Sequence, residues 1–270
     1  MKKNRWHLYM LLTSLILPVC AAEPVFHFKL DKTLHQKSLT DRSGKFTLVS
    51  PQELFLFERG GLRVAEGAQF HIPAEQLPAL NGSFTLNAWY FGGARGQDNS
   101  VFFRGMLPGT PQIRCGVHNI YPSFYCNTAH GEAKIATEGW GTMVSYPDRK
   151  AVVDLKAAEA LPGRWSMITW VFGRGKLEIY VNAKLALSKN VPISTLKPDS
   201  DPLYIGAVRE KGILINKVNS NMIVNDLSLY GSALSGEEIR KLYELDRAKY
   251  AGEPGIDSWE KLPARTEYME

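Results

Sequence analysis

Several things that would narrow the role of this chain are missing from its sequence. It has only 3 cysteines in 270 residues, too few for a small fold framed by disulfides. Beyond the N-terminal stretch, no apolar run is long enough to cross a bilayer. No Gly-x-Ser-x-Gly, His-Glu-x-x-His, P-loop or dinucleotide fingerprint occurs. Glycoside hydrolysis needs two carboxyl groups flanking the bond, and no strand-like segment reads Glu-x-Asp-x-x-Glu. Glu244-x-Asp246 lies on a helical segment, and Asp148 and Asp154 are isolated. Fixed-period repeats and heptads are also missing. These absences favour a binding module over an enzyme.

Charge of one sign is not in large excess either. Lys plus Arg number 32 against 27 Asp plus Glu, and Lys2, Lys3 and Arg5 all precede residue 22. Without residues 1–22 the balance is 29 against 27, or +2. So small an excess argues against nucleic acid or an anionic membrane surface as the partner.

What is present begins with an address. Lys2, Lys3 and Arg5 form a positive region, Leu8 to Val19 is mostly apolar, and small residues follow at Ala21 and Ala22. That order predicts a secretory signal peptide over residues 1–22, and hence an extracytoplasmic protein, secreted or periplasmic. A competing reading makes Cys20 a lipoprotein anchor, with Leu17 suited to it and Val19 standing where a smaller residue is usual. Export leaves Cys115 and Cys126, an even pair in an oxidising compartment, and predicts a disulfide between them. Closing so short a loop contributes ~2–3 kcal/mol when unstrained.

The rest reads as strands. Gly163 to Ser188 holds two, Trp165 to Phe172 and Lys176 to Val181, joined by Gly173-Arg174-Gly175. The first is aromatic and β-branched throughout; the second alternates, with Leu177, Ile179 and Val181 on one face. Further strands are predicted at Val25–Leu30, Phe84–Phe91, Ser100–Arg104, Gln112–Val117, Ser123–Asn127, Leu203–Ala207 and Met222–Tyr230. Gly61–Val64 and Gln69–Ile72 flank Ala65-Glu66-Gly67 and read as a hairpin. Residues 128–150 read as a long loop with room for one extra hairpin. Ser235 with Glu238 makes a capping box for one late helix, striped by Ile239, Leu242 and Tyr243. Apolar content of 44% is ample for a packed core. Regular strands with one terminal helix predict an all-β sandwich.

Four segments are similar to the laminin G-like members of the concanavalin A-like lectin/glucanase family. They are Gly61–Pro73, Ser83–Trp89, Gly163–Ser188, and Val224-Asn225-Asp226-Leu227-Ser228-Leu229-Tyr230 continuing to Ile239. The resemblance implies a two-sheet antiparallel jelly roll over residues 23–248, with residues 249–270 as a tail. Two departures stand out. Asn182-Ala183 replaces the usual Asp-Gly, which puts a type I′ turn in question, and Asn225 replaces an acidic residue. The resemblance also implies a structural Ca²⁺ held by Asp41 and Asp226, since a hard cation takes several oxygens.

Relatives on this fold include glycosidases and polysaccharide lyases, so a polysaccharide-active enzyme stands as one alternative. A structural or adhesive protein-binding domain is another. The first expectation is an exported, non-catalytic module for carbohydrate or another extracellular ligand. Its candidate binding rings are Tyr121, Phe124, Tyr125 and Trp140, near His118 and His130, because exposed aromatic rings stack on the apolar faces of sugars. Trp89, Trp165 and Trp170 are assigned to the core.

Overall fold

Turn chemistry and alternation build the first sheet from hairpins. In the computed structural model, three two-residue loops have both residues at positive φ: Arg59-Gly60 (+48°, +70°), Arg174-Gly175 (+52°, +76°) and Asn182-Ala183 (+49°, +62°). That is the backbone of a type I′ turn, whose twist matches the strands it joins. The turn questioned at Asn182-Ala183 therefore forms, with an alanine held in the left-handed region.

The structure describes residues 22–30, 38–50, 57–64, 70–78, 82–92, 98–104, 112–118, 121–128, 131–136, 163–190, 201–206, 208–210, 213–215 and 222–251. Strands are numbered in chain order. One sheet runs β14 (Lys184–Asn190), β13 (Lys176–Val181), β12 (Trp165–Gly173), β7 (Ser83–Gly92), β18 (Met222–Tyr230), β5 (Gly61–Val64), β4 (Phe57–Glu58). To this sheet β1 (Phe26–Phe28) adds through β18. The second runs β11 (Gly131–Ala136), β10 (Tyr121–Thr128), β9 (Gln112–His118), β8 (Asp98–Arg104), β15 (Leu203–Ile205), β6 (Phe70–Ile72), β3 (Thr47–Val49), β2 (Ser38–Thr40). A small ribbon pairs β16 (Val208–Glu210) with β17 (Ile213–Ile215). Every pairing is antiparallel. The fold is the all-β sandwich expected. One detail differs: β5 and β6 belong to different sheets, so Gly61–Val64 and Phe70–Ile72 do not pair as a hairpin.

The main core fills the space between the sheets. Phe84, Leu86, Ala88 and Tyr90 of β7 face Phe102, Cys115, Val117 and Phe124 of the other sheet, with Trp170 fully buried among them. The alternate residues of the first sheet, Trp89, Phe91, Trp165, Met167, Val171, Ile223 and Tyr230, form a second cluster on its outer face. Helix α1 (Gly236–Ala251) covers that cluster with Ile239 and Tyr250. Trp165 and Trp89 are core as assigned, but beneath the helix and not between the sheets.

The predicted capping box is present. The Ser235 backbone N–H donates to Glu238 Oε2 at 2.8 Å, and the Glu238 N–H donates to Ser235 Oγ at 3.3 Å. The helix runs past the expected domain boundary at residue 248, because Tyr250 is 4% exposed and stacks on Trp89 at 4.0 Å between ring centroids. Residues 249–251 belong to the domain. The signal segment, Cys20, Trp140, His130 and the tail beyond residue 251 lie outside the described residues. No described helix is long and apolar enough to cross a membrane.

Candidate functional site

Strand alternation leaves the second sheet with one face in the core and one turned away from it. Phe70 and Ile72 are buried, and His71 between them is not. Leu203 and Ile205 are buried around a half-buried Tyr204. Ile113 and Cys115 are buried around a half-buried Arg114. The register then joins these outward positions into one transverse row: Val49 beside His71, His71 beside Tyr204, Tyr204 beside Phe103, Phe103 beside Arg114, Arg114 beside Tyr125, Tyr125 beside Lys134. The rings of His71 and Tyr204 lie 5.6 Å apart. At ~4.8 Å per strand, the row from His71 to Lys134 crosses five steps, or about 24 Å.

A second row runs alongside it and is built from small residues. Ser100 pairs with Gly116, Gly116 with Ser123, and Ser123 with Ala136. Gly116 has a steric reason to be glycine, since a Cβ there would meet the Asn99 carbonyl oxygen at 2.5 Å. Ser100 Oγ is buried and has no hydrogen-bond partner, an exception that calls for one. A third row follows, with Asp98 beside His118 and His118 beside Tyr121. The register thus places aromatic and basic residue types in one transverse row and small residue types in the next.

The aromatic residues proposed from sequence divide across this strand. Tyr121 and Tyr125 take alternate positions of β10 on either side of Ser123, within the two rows of larger residues. Phe124 takes the opposite parity and is 1% exposed in the core, so its ring is unavailable to a ligand. His71, Tyr204, Phe103, Arg114 and Lys134 were missed. His71, Tyr204, Arg114 and Lys134 each carry a local signal, a polar or aromatic residue between apolar ones, but the pairings join residues far apart in the chain.

The two cysteines lie on the β9–β10 hairpin, where the register sets Cys115 opposite Phe124 and Cys126 opposite Ile113. Cys115 is buried in the core.

Asp41 and Asp226 do come together, around β1. His27 offers its backbone N–H to Asp41 Oδ2 at 3.4 Å, and its Nε2 lies 2.9 Å from Asp226 Oδ1. Neither carboxylate is arranged for a cation. Asp41 accepts N–H bonds from Ser43, Lys45 and Phe46 at 3.0–3.1 Å and the Ser43 hydroxyl at 2.9 Å. Burial pushes its carboxyl up, but the Phe46 and Ser43 bonds outweigh this and hold it below 3.8. Asp226 is 2% exposed, accepts the Tyr250 hydroxyl at 2.5 Å, and has Lys249 and Lys29 at 3.8 and 4.0 Å. There too burial is outweighed, by His27, Tyr250 and the two lysine charges, and the carboxyl sits below its ordinary value. Calcium needs oxygen donors; these carboxylates are met by N–H groups and cations. The residues do not fit the ion.

Asn225, beside Asp226, explains its own departure from the acidic pattern. Its Oδ1 accepts the Leu30 N–H at 2.7 Å while its Nδ2 donates to the Gly60 carbonyl at 2.5 Å. A carboxylate has no donor for the second bond.

Two antiparallel sheets with core between them and one helix laid on the outer face define a jelly-roll sandwich. A family model described as the concanavalin A-like lectin/glucanases superfamily matches residues 65–240. The chain belongs to this superfamily, within the Laminin_G_3 family. No curated protein matches it. Among solved structures, the binding domain of botulinum neurotoxin serotype G is similar at 14% identity and a TM-score of 0.60, covering 83% of this chain and 51% of that one. The serotype D ligand-binding domain, solved with N-acetylneuraminic acid, is similar at 13% identity and 0.57, covering 82% and 50%. The binding domain of paraclostridial mosquitocidal protein 1 is similar at 15% and 0.58, covering 82% and 51%. This chain spans about half the length of these domains, and at such identities the likeness concerns the fold.

Proposed function

We propose that this chain is an exported, non-catalytic carbohydrate-binding module whose ligand lies on the outward face of the second sheet. The carrying observation is the cross-strand row His71–Tyr204–Phe103–Arg114–Tyr125–Lys134. Aromatic rings give apolar contact area to sugar faces at low entropic cost, and guanidinium and hydroxyl groups bond their polar edges. Mounted on adjacent strands, such groups lose little freedom on binding. The solved relatives support the reading at the level of a binding fold, one of them holding a sugar.

A glycan array tests it, followed by incubation with each bound glycan and product analysis. Binding without product is expected, weakened at least tenfold by Tyr125→Ala or Tyr204→Ala. Product formation would replace the module with an enzyme. An array with no bound glycan would replace it with a protein-binding domain.

A further inference from the structure

We infer that the exported chain is cut between Ala21 and Ala22 and released as a free protein, with no lipid anchor on Cys20. The inference rests on the export reading above and adds the position and outcome of the processing step. From the residues alone three endings compete: a cut after Ala21, a cut after Ala22, and a lipid-bearing Cys20 as first residue. Where the fold begins separates them. Ala22 is half-buried and packs against the cluster on the outer face of the first sheet, the one that α1 covers. Three residues on, the Val25 N–H donates to the Leu229 carbonyl at 2.6 Å. Phe26, Phe28 and Leu30 then enter the core. Ala22 is therefore part of the domain.

Reach decides against the anchor. A lipid-bearing Cys20 would hold its backbone at the bilayer surface, with Ala21 as the one residue between it and Ala22. Two residue steps span at most about 7 Å. That is about the depth of one headgroup layer, since ~30 Å of hydrocarbon lies within ~40–45 Å of bilayer. The packed domain would be drawn into that layer. The helix over the same cluster is not suited to lipid: its cations Arg240, Lys241 and Arg247 are engaged by Glu237 and Glu244. Leu245 is its one exposed large apolar side chain.

The choice between the two cuts follows from the same contact. A leader peptidase reads small side chains immediately before the cut and two residues further back. Val19 and Ala21 serve one frame, Cys20 and Ala22 the other. The smallness of Ala22 follows from its place in the domain, which leaves Ala21 as the residue the peptidase reads. Hydrolysis of the Ala21–Ala22 peptide bond takes up a water molecule, leaving a carboxyl group on Ala21 and an amine on Ala22.

Expression of the full chain in an exporting bacterial host, with cell fractionation and intact-mass measurement, tests this. A soluble extracytoplasmic protein starting at Ala22 is expected. Cys20→Ala should leave its fraction and mass unchanged, and Ala21→Leu should lower its yield at least tenfold. A chain prepared to start at Glu23 should melt about 2 °C below one starting at Ala22, the effect of losing a packed methyl group. A mature chain starting at Glu23, a lipid-bearing Cys20 in the membrane fraction, or equal melting temperatures would overturn the inference and leave export standing. An uncut chain kept in the cytoplasm would overturn both.

Discussion

At the scale of single residues, the irregular positions mark where backbone geometry outranks side-chain preference. Ala183 sits at φ +62°, where an L side chain costs roughly 1–2 kcal/mol. Ala183→Gly should therefore stabilise the fold by about 1 kcal/mol, read as a raised denaturation midpoint; an unchanged midpoint would mean that the turn is not held in the left-handed region. Asn225 gives the opposite case. Asn225→Asp places a second oxygen against the Gly60 carbonyl and should cost about 2 kcal/mol, the loss of one buried bond plus an unsatisfied acceptor.

At the scale of elements, α1 is held to the sheet by one aromatic stack and one charged cluster. Tyr250 stacks on Trp89, lies 4.9 Å from Trp165, and donates its hydroxyl to Asp226. A chain ending at Arg247 should be less stable than one ending at Ala251 by about 3 kcal/mol, the burial of one aromatic side chain with its stacking. The cluster adds a pH signature with two opposite signs. Asp226 is held below 3.8, so its contribution is present at neutral pH and lost as pH falls through that lowered value. Asp246 is raised above 3.8 by burial and then by the Asp226 charge, which outweigh Lys29, Lys249 and His27. Its ionised form costs stability at neutral pH, and the cost disappears as pH falls through the raised value. Thermal melts should show Asp226→Asn destabilising at pH 7 and Asp246→Asn stabilising there, with both effects shrinking toward pH 3. Equal signs at pH 7 would refute this account of the helix dock. The same melts with EDTA should leave the native chain's midpoint unchanged, because Asp41 and Asp226 face donors and cations and not a divalent ion.

At the scale of the whole molecule, legibility followed the range of the interaction. The strands, the Ser235–Glu238 cap and the family pattern were readable because they depend on neighbours within a few residues. Trp89, Trp165 and Trp170 could be assigned to a core for the same reason. Which side of the sheet a tryptophan lies on could not: Trp170 faces the other sheet, while Trp165 and Trp89 lie under α1. The candidate site was half legible. Tyr121 and Tyr125 were found from local aromatic density, and that same density wrongly included Phe124, one step out of phase. His71 and Tyr204 were missed because their neighbourhood joins β6 to β15, with the paired residues 133 positions apart in the chain.

The sequence by itself determined most of the strands, the helix and the fold they belong to, because period-two alternation acts locally; the Asn182-Ala183 turn and β11, which falls where a loop was expected, were settled by the structure. The tertiary structure alone decided which strands are neighbours and in what register. That pairing brings scattered aromatic and basic residue types into one transverse row and surrounds Asp41 and Asp226 with hydrogen-bond donors. Register is a long-range property, since a shift of one residue in pairing would exchange the core face of a strand for its outward face.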